Sequence, residues 1–116
     1  MKPEAFLPLS KATLYILLAL AAEDRHGYGI MQEVARQSGR QYKLGPGTLY
    51  DNLQKLVNQG LITETPARSV HDDPRRRYYR LTGPGRRVLA AEVARMEAVV
   101  HEARRHLAAT SPGRAT

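Results

Sequence analysis

Apolar positions along the chain follow a helical spacing, then a strand-like one, then a helical one again. In the first run, Ala12 to Ala22, Leu14, Leu17, Leu18 and Ala21 fall at i, i+3, i+4 and i+7, the stripe of a helix with one face on a core. Ser10 stands where its hydroxyl can cap the amide of Ala12 or Thr13, and the polar cluster Glu23-Asp24-Arg25-His26-Gly27 predicts a turn after the helix. A second helix is predicted over Tyr28 to Ser38, with Ile30, Met31, Val34 and Ala35 in one stripe and Gly39 as a left-handed C-terminal cap. Gly45-Pro46-Gly47 then sets a sharp entry into a third helix, Thr48 to Gln59, which stops at Gly60. There Leu49, Leu53 and Leu56 share a narrow face flanked by Tyr50 and Val57, and the remaining arc carries Thr48, Asp51, Gln54, Lys55 and Asn58.

Leu61 to Thr65 and Arg76 to Leu81 read as two antiparallel strands, Tyr79 and Leu81 sharing a face opposite Tyr78 and Arg80. The polar stretch Pro66 to Arg75 between them predicts a mobile hairpin loop. From Gly83 to about Leu107 the pattern is helical, with Thr82 as N-cap and Gly83-Pro84-Gly85 as a flexible first turn. Leu89, Val93, Met96, Val100, Ala103 and Leu107 are spaced 4, 3, 4, 3, 4, an a/d seam that calls for a partner helix. At ~1.5 Å per residue this helix would extend about 37 Å. The expected class is α+β, mainly α: a winged helix-turn-helix over residues 1–82, a dimerisation helix over 83–107 and a disordered tail over 108–116.

Composition narrows the function. A chain of 116 residues fits one compact domain plus one element, and 42% hydrophobic content supplies a core even with no Trp and the single Phe6. Lys and Arg number 18 against 11 acidic residues, and the net charge of +7 favours a polyanionic partner, nucleic acid before an anionic membrane surface. The absence of Cys removes disulfides and thiolate chemistry and agrees with a cytoplasmic protein. Lys2 and Lys11 ahead of an apolar run, with Ala19-Leu20-Ala21 as a cleavage-like triplet, raise a signal peptide; Glu4, Pro8 and the core-helix spacing favour a structural helix instead. The run is too short to span a bilayer.

Enzyme chemistry finds no frame. His26, His71, His101 and His106 contain no i, i+4 pair, so no metal site is expected, and His26 is expected to order the turn before the second helix. No nucleophile elbow is present, and Gly45-Pro46-Gly47 lacks the Lys of a phosphate-cradling loop, so neither catalytic residues nor a cofactor are expected. The tyrosines Tyr15, Tyr28, Tyr42, Tyr50, Tyr78 and Tyr79 are expected mainly to pack, with stacking on a planar effector as the alternative.

The element order is that of a winged helix, in which the third helix enters the major groove of double-stranded DNA. Gln54 and Asn58 suit base edges, Lys55 suits guanine or phosphate, Thr48 with the helix amides suits a phosphate, and Asp51 would face a base or a basic neighbour. Arg75, Arg76, Arg77 and Arg80, with Arg68 across the loop, can bind backbone phosphates beside the groove. Strand alternation turns Arg76 outward with Tyr78 and Arg80, which makes it the first candidate for phosphate and Arg80 the second, while Arg77 points with the packed face. The plainer readings are a solvated helix face and a charged strand edge that blocks aggregation. A protein-interaction module built on the last helix and a nonspecific architectural nucleic-acid binder also remain open.

The three runs ILLALAAEDRHGYGIMQEVARQSG, LGPGTLYDNLQKLVNQGLI and RRRYYRLTGPGRRVLAAE resemble the PadR family of transcriptional regulators in order and spacing, over Ile16 to Glu92, about two thirds of the chain. The resemblance implies a winged helix, a two-fold homodimer formed by the C-terminal helix, and repression relieved in many members by a small-molecule effector. It also implies that Gly45 to Tyr50 open the recognition helix, that Tyr50 is packed and partly DNA-facing, and that Arg77, Tyr78 and Tyr79 lie on the returning wing strand. Gly83-Pro84-Gly85 departs from the more usual Thr-Glu-x-Gly, which suggests a different hinge into the last helix. With a single C-terminal helix, an effector pocket would lie between subunits or between that helix and the winged domain.

Overall fold

The computed structural model describes residues 2–66 and 76–109. Most of the expected hairpin loop, including Arg68, His71 and Arg75, and most of the tail lie outside the described residues. A 3₁₀ turn, Pro3–Phe6, leads into α1, Lys11–Ala22, whose N-cap Ser10 accepts from the Thr13 amide at 3.2 Å. This helix buries Ala12, Ile16, Leu17, Ala19 and Leu20. The expected stripe through Leu14, Leu18 and Ala21 is only partly covered. The reason is position: α1 packs against helices and sheet on several sides, so an almost wholly apolar helix offers no contrast from which periodicity can select a face.

The polar cluster expected as a turn contains a strand, β1, Arg25–His26. It pairs antiparallel with β3, Tyr78–Leu81, which also pairs with β2, Ile62–Thr65, so the wing is a three-stranded sheet ordered β1-β3-β2. Two residues carry no period, and only the long-range pairing of Arg25 with Tyr79 and His26 with Tyr78 defines them. This pairing also corrects the expected exposure of Tyr78. Although it lies on the face opposite Tyr79 and Leu81, Tyr78 is buried, its ring meeting His26 edge-on at a centroid distance of 5.3 Å.

α2, Gly27–Gln37, turns inward with Ile30 and Val34. It is followed by Gly39 at φ +61°, as expected, and by Arg40, also left-handed at +65°. α3, Pro46–Asn58, begins two residues earlier than expected because Pro46 fits a first helical turn, where its missing N–H costs nothing. Leu49, Leu53 and Leu56 enter the core, and Gly60 follows at φ +74°.

α4, Gly83–Ala109, is capped by Thr82, whose hydroxyl accepts from the Gly85 amide at 3.0 Å and donates to the Gly60 carbonyl at 2.7 Å. Its first turn is clamped, in contrast to the flexible start expected from Gly83-Pro84-Gly85. A Cβ at Gly85 would stand 1.9 Å from the Leu61 carbonyl oxygen, so helix and wing touch backbone to backbone here. Val88 and Leu89 complete the core. Leu89, expected in the dimer seam, is 8% exposed and already taken up by the core, so the exposed apolar strip of α4 begins at Val93.

Candidate nucleic-acid interface

α3 packs on α1, α2 and β2, and this support fixes which side of it faces outward. Thr48, Tyr50, Asp51, Gln54, Lys55 and Asn58 are all exposed. Gln54 donates from Nε2 to Asn58 Oδ1 at 3.1 Å, so these amides form a pair on the surface one turn apart. A residue absent from the sequence expectation holds the helix in place: Asn52 donates to the Thr48 carbonyl at 2.8 Å and accepts from the Thr13 hydroxyl at 3.3 Å. Thr13 in turn accepts from Ser10, so a polar chain joins the cap of α1 to the first turns of α3. The signal was Asn52 itself, a polar residue beside the Leu49–Leu53 face.

The N-terminus of α3 has no side-chain cap, and nothing lies within 4 Å of where a Cβ would stand on Gly45 or Gly47. The side of this turn on which a Cβ would stand is therefore open to close approach from outside.

The wing arginines divide by partner. Arg77 reaches Glu64 at 3.2 Å, and Arg80 grips Asp24 with a fork whose shortest arm is 2.8 Å. Both carboxylates lie on neighbouring chain segments, one on β2 and one just before β1. Arg77 is 73% exposed at its side chain, which removes the packing role expected from its strand phase. Arg76 has no carboxylate partner among the described residues; its guanidinium lies 3.2 Å from His26 Nε2.

His26 also N-caps α2, accepting from the Gly29 amide at Nδ1 at 3.0 Å, which is the turn-ordering role expected of it. Between the start of α2, Tyr50 of α3 and the wing lies a cleft of about 440 Å³ lined by His26, Gly27, Tyr28, Tyr50, Arg76, Arg77 and Tyr79. Burial pushes the Tyr79 phenol up, with Glu64 and Tyr50 adding to the shift and Arg77 opposing it, so the hydroxyl stays protonated at neutral pH.

Along α4, Val93, Met96, Val100, Ala103 and Leu107 are exposed as the seam expectation requires of an isolated chain, and Val99, at 57% exposure, widens the strip. An open groove of about 420 Å³ runs beside it, lined by Val93, Met96, Glu97, Val100, His101 and Arg104. Among the described residues no group of three His, Cys, Asp or Glu could hold a metal ion, and no helix is long and apolar enough to cross a membrane.

Residues 14–91 match the transcriptional regulator PadR-like family. The chain is 35% identical over 89 residues to the transcriptional regulator Rv3488 of Mycobacterium tuberculosis, covering 77% of this chain and 78% of that protein. Its fold is similar to that of a PadR family transcription regulator from Clostridium difficile R20291, with a TM-score of 0.71 at 24% identity over 84% of this chain and 99% of that one. A similar fold is found in Bacillus subtilis PadR in complex with operator DNA, with a TM-score of 0.62 at 23% identity over 74% of this chain and 48% of that one.

Proposed function

The chain belongs to the PadR-like family of transcriptional regulators, and from that premise we propose that it binds double-stranded DNA sequence-specifically. In this reading it works in the cytoplasm as a homodimer, represses from a two-fold symmetric operator and is released by a small-molecule effector. The observation that carries the reading is the outward face of α3, where Thr48, Asp51, Gln54, Lys55 and Asn58 are all presented while three leucines anchor the opposite side. Amide and ammonium groups at that spacing suit base edges and phosphates in a groove about 12 Å wide. The bound state of Bacillus subtilis PadR, which shares the fold, supports the same use of this one.

The dimer rests on the exposed apolar strip of α4, where Val93, Met96 and Val100 each keep about two fifths of their surface open. Two such helices side by side would close the groove beside Met96 and His101, and a cavity formed that way is the proposed effector site. Repression and effector release extend the family resemblance.

Binding to a fragment of the DNA adjoining its own gene, with unlabelled random duplex as competitor, tests the reading. Retention of a two-fold symmetric site against competitor is expected. Loss to competitor would indicate a nonspecific architectural binder, and no binding at all would leave α4 as a protein-docking element. A promoter reporter with and without the protein tests the sign of regulation.

A further inference from the structure

Leu49, Leu53 and Leu56 hold the inner side of α3. Burial of apolar surface is non-directional, so the leucines decide which side of the helix turns inward. The last degrees of its rotation are set by a contact that has a direction, and a hydrogen bond is one. Asn52, half-buried at the edge of the leucine face, makes such a contact with α1.

The chain that ends on Asn52 has one polarity. Ser10 Oγ accepts from the Thr13 amide at 3.2 Å and donates its own proton to Thr13 Oγ1 at 3.0 Å. Thr13 Oγ1 in turn donates to Asn52 Oδ1 at 3.3 Å. With Oδ1 engaged as the acceptor, Nδ2 faces the Thr48 carbonyl and donates to it at 2.8 Å. The flipped amide would set Oδ1 against that carbonyl oxygen, acceptor against acceptor, so a single orientation satisfies both ends and each bond polarises the next.

At ~100° per residue, Asn52 stands about 160° around α3 from Gln54 and about 120° from Asn58. It acts on what those amides meet through the orientation of the helix. With side chains an α-helix is about 10–12 Å across, so a rotation of about 10° moves a surface group by roughly 1 Å. Side chains that recognise a ligand must be held to within about 0.5 Å, so even that rotation would misdirect them.

We propose that Asn52 is a positioning residue for sequence readout: through Thr13 it sets the rotation of α3 on α1, and with it the aim of Gln54 and Asn58 at base edges. The inference rests on the DNA-binding reading and adds to it two residues that touch no base. Phosphate contacts act through charge, which has no preferred angle, and carry no sequence information. The effect therefore falls on discrimination between duplexes and spares general affinity.

The test measures the full chain against two duplexes of equal length, the one retained against competitor and a random one. Asn52→Ala and Thr13→Val should each weaken binding to the retained duplex about tenfold, the scale of one lost base contact, and change binding to random duplex by less than about twofold. The double variant should lose no more than the worse single one, because both changes remove the same contact. Thr13→Ser keeps the hydroxyl and should restore wild-type discrimination. If Asn52→Ala does not fold, the contrast between Thr13→Val and Thr13→Ser decides the matter.

A loss with Asn52→Ala that Thr13→Val does not share would mean that Asn52 meets DNA directly. Equal losses on both duplexes would mean a purely structural role. Either result, or single variants that bind as wild type does, overturns the positioning role while sequence-specific binding stands. Wild type that prefers neither duplex overturns the functional reading, and this inference with it.

Discussion

The backbone amide of Leu9 donates to the carboxylate of Glu92 at 2.9 Å, across 83 positions of sequence, and so pins the N-terminal segment to α4. Glu92 is 1% exposed and its other oxygen takes Arg95. Glu92→Leu would leave the Leu9 N–H without its acceptor, at a cost of about 1–3 kcal/mol, whereas Glu92→Gln keeps an acceptor and should cost less. The denaturant midpoints of the two variants check this order. The hydrogen bond from Arg95 holds the Glu92 carboxyl below its ordinary range, the Leu9 amide adding to the shift and burial opposing it. A depressed carboxylate stabilises the fold above its unfolded pKa, and this contribution is lost as pH falls through the folded value. Glu92→Gln should therefore flatten stability against pH in the acid range. Glu33, lowered chiefly by its hydrogen bond from Arg36, keeps its own share of that slope in the variant.

Two glycines should respond in opposite directions to the same substitution. At Gly85 the new Cβ would meet the Leu61 carbonyl at 1.9 Å, so Gly85→Ala must push α4 off the wing, with a loss of about 1–3 kcal/mol or more. Gly47 lies inside α3 with open space around it, and Gly47→Ala should raise stability by roughly 0.5–1 kcal/mol. Melting temperatures measure both. If the turn approaches DNA closely, the more stable Gly47 variant should also bind it more weakly.

Met96 lies mid-seam on α4 and is 38% exposed in the single chain. Met96→Glu would place a charge in the proposed helix-to-helix contact, at several kcal/mol if it is left unpaired, on the scale of burying an ionised group. Sedimentation should show monomer where the parent shows dimer, and an unchanged dimer would exclude this seam.

For Gln54, exposed on α3 and paired with Asn58, substitution by Ala should cost about 1–3 kcal/mol on the cognate site and almost nothing on random duplex. Equal losses on both would assign Gln54 to positioning rather than reading.

On the wing, the ion pairs predict how salt dependence divides. Each phosphate contact contributes about 0.9 to the slope of log affinity against log salt, so Arg76→Ala should lower its magnitude by roughly 2 per dimer. Arg80, already gripping Asp24, should leave the slope unchanged when replaced by Ala, although strand phase alone ranks it second for phosphate. A fall with Arg80→Ala would mean that Asp24 releases it on binding.

Local chemistry was legible in the sequence wherever a few neighbouring residues decide it. Ser10 as a cap, Gly39 as a left-handed cap, Gly60 as the stop after α3 and the leucine face of α3 all follow from intervals shorter than two helical turns, and the polar arc of α3 follows from that face by subtraction. The apolar strip of α4, exposed from Val93 onward and proposed as a dimer seam, was legible for the same reason. Tertiary structure decided what local contrast cannot. It chose which side of the nearly all-apolar α1 is buried, drew Leu89 into the winged core and closed Glu92 over the Leu9 amide. It also made a strand of Arg25–His26, because two residues become β structure only when β3 pairs with them. Strand phase could not place Arg76 and Arg77, which precede β3, and the availability of the wing arginines depends on carboxylates far away in the chain, Glu64 for Arg77 and Asp24 for Arg80. Arg76 is left facing a histidine because no described carboxylate reaches it, and only the pairing of β1 with β3 brings those two residues together.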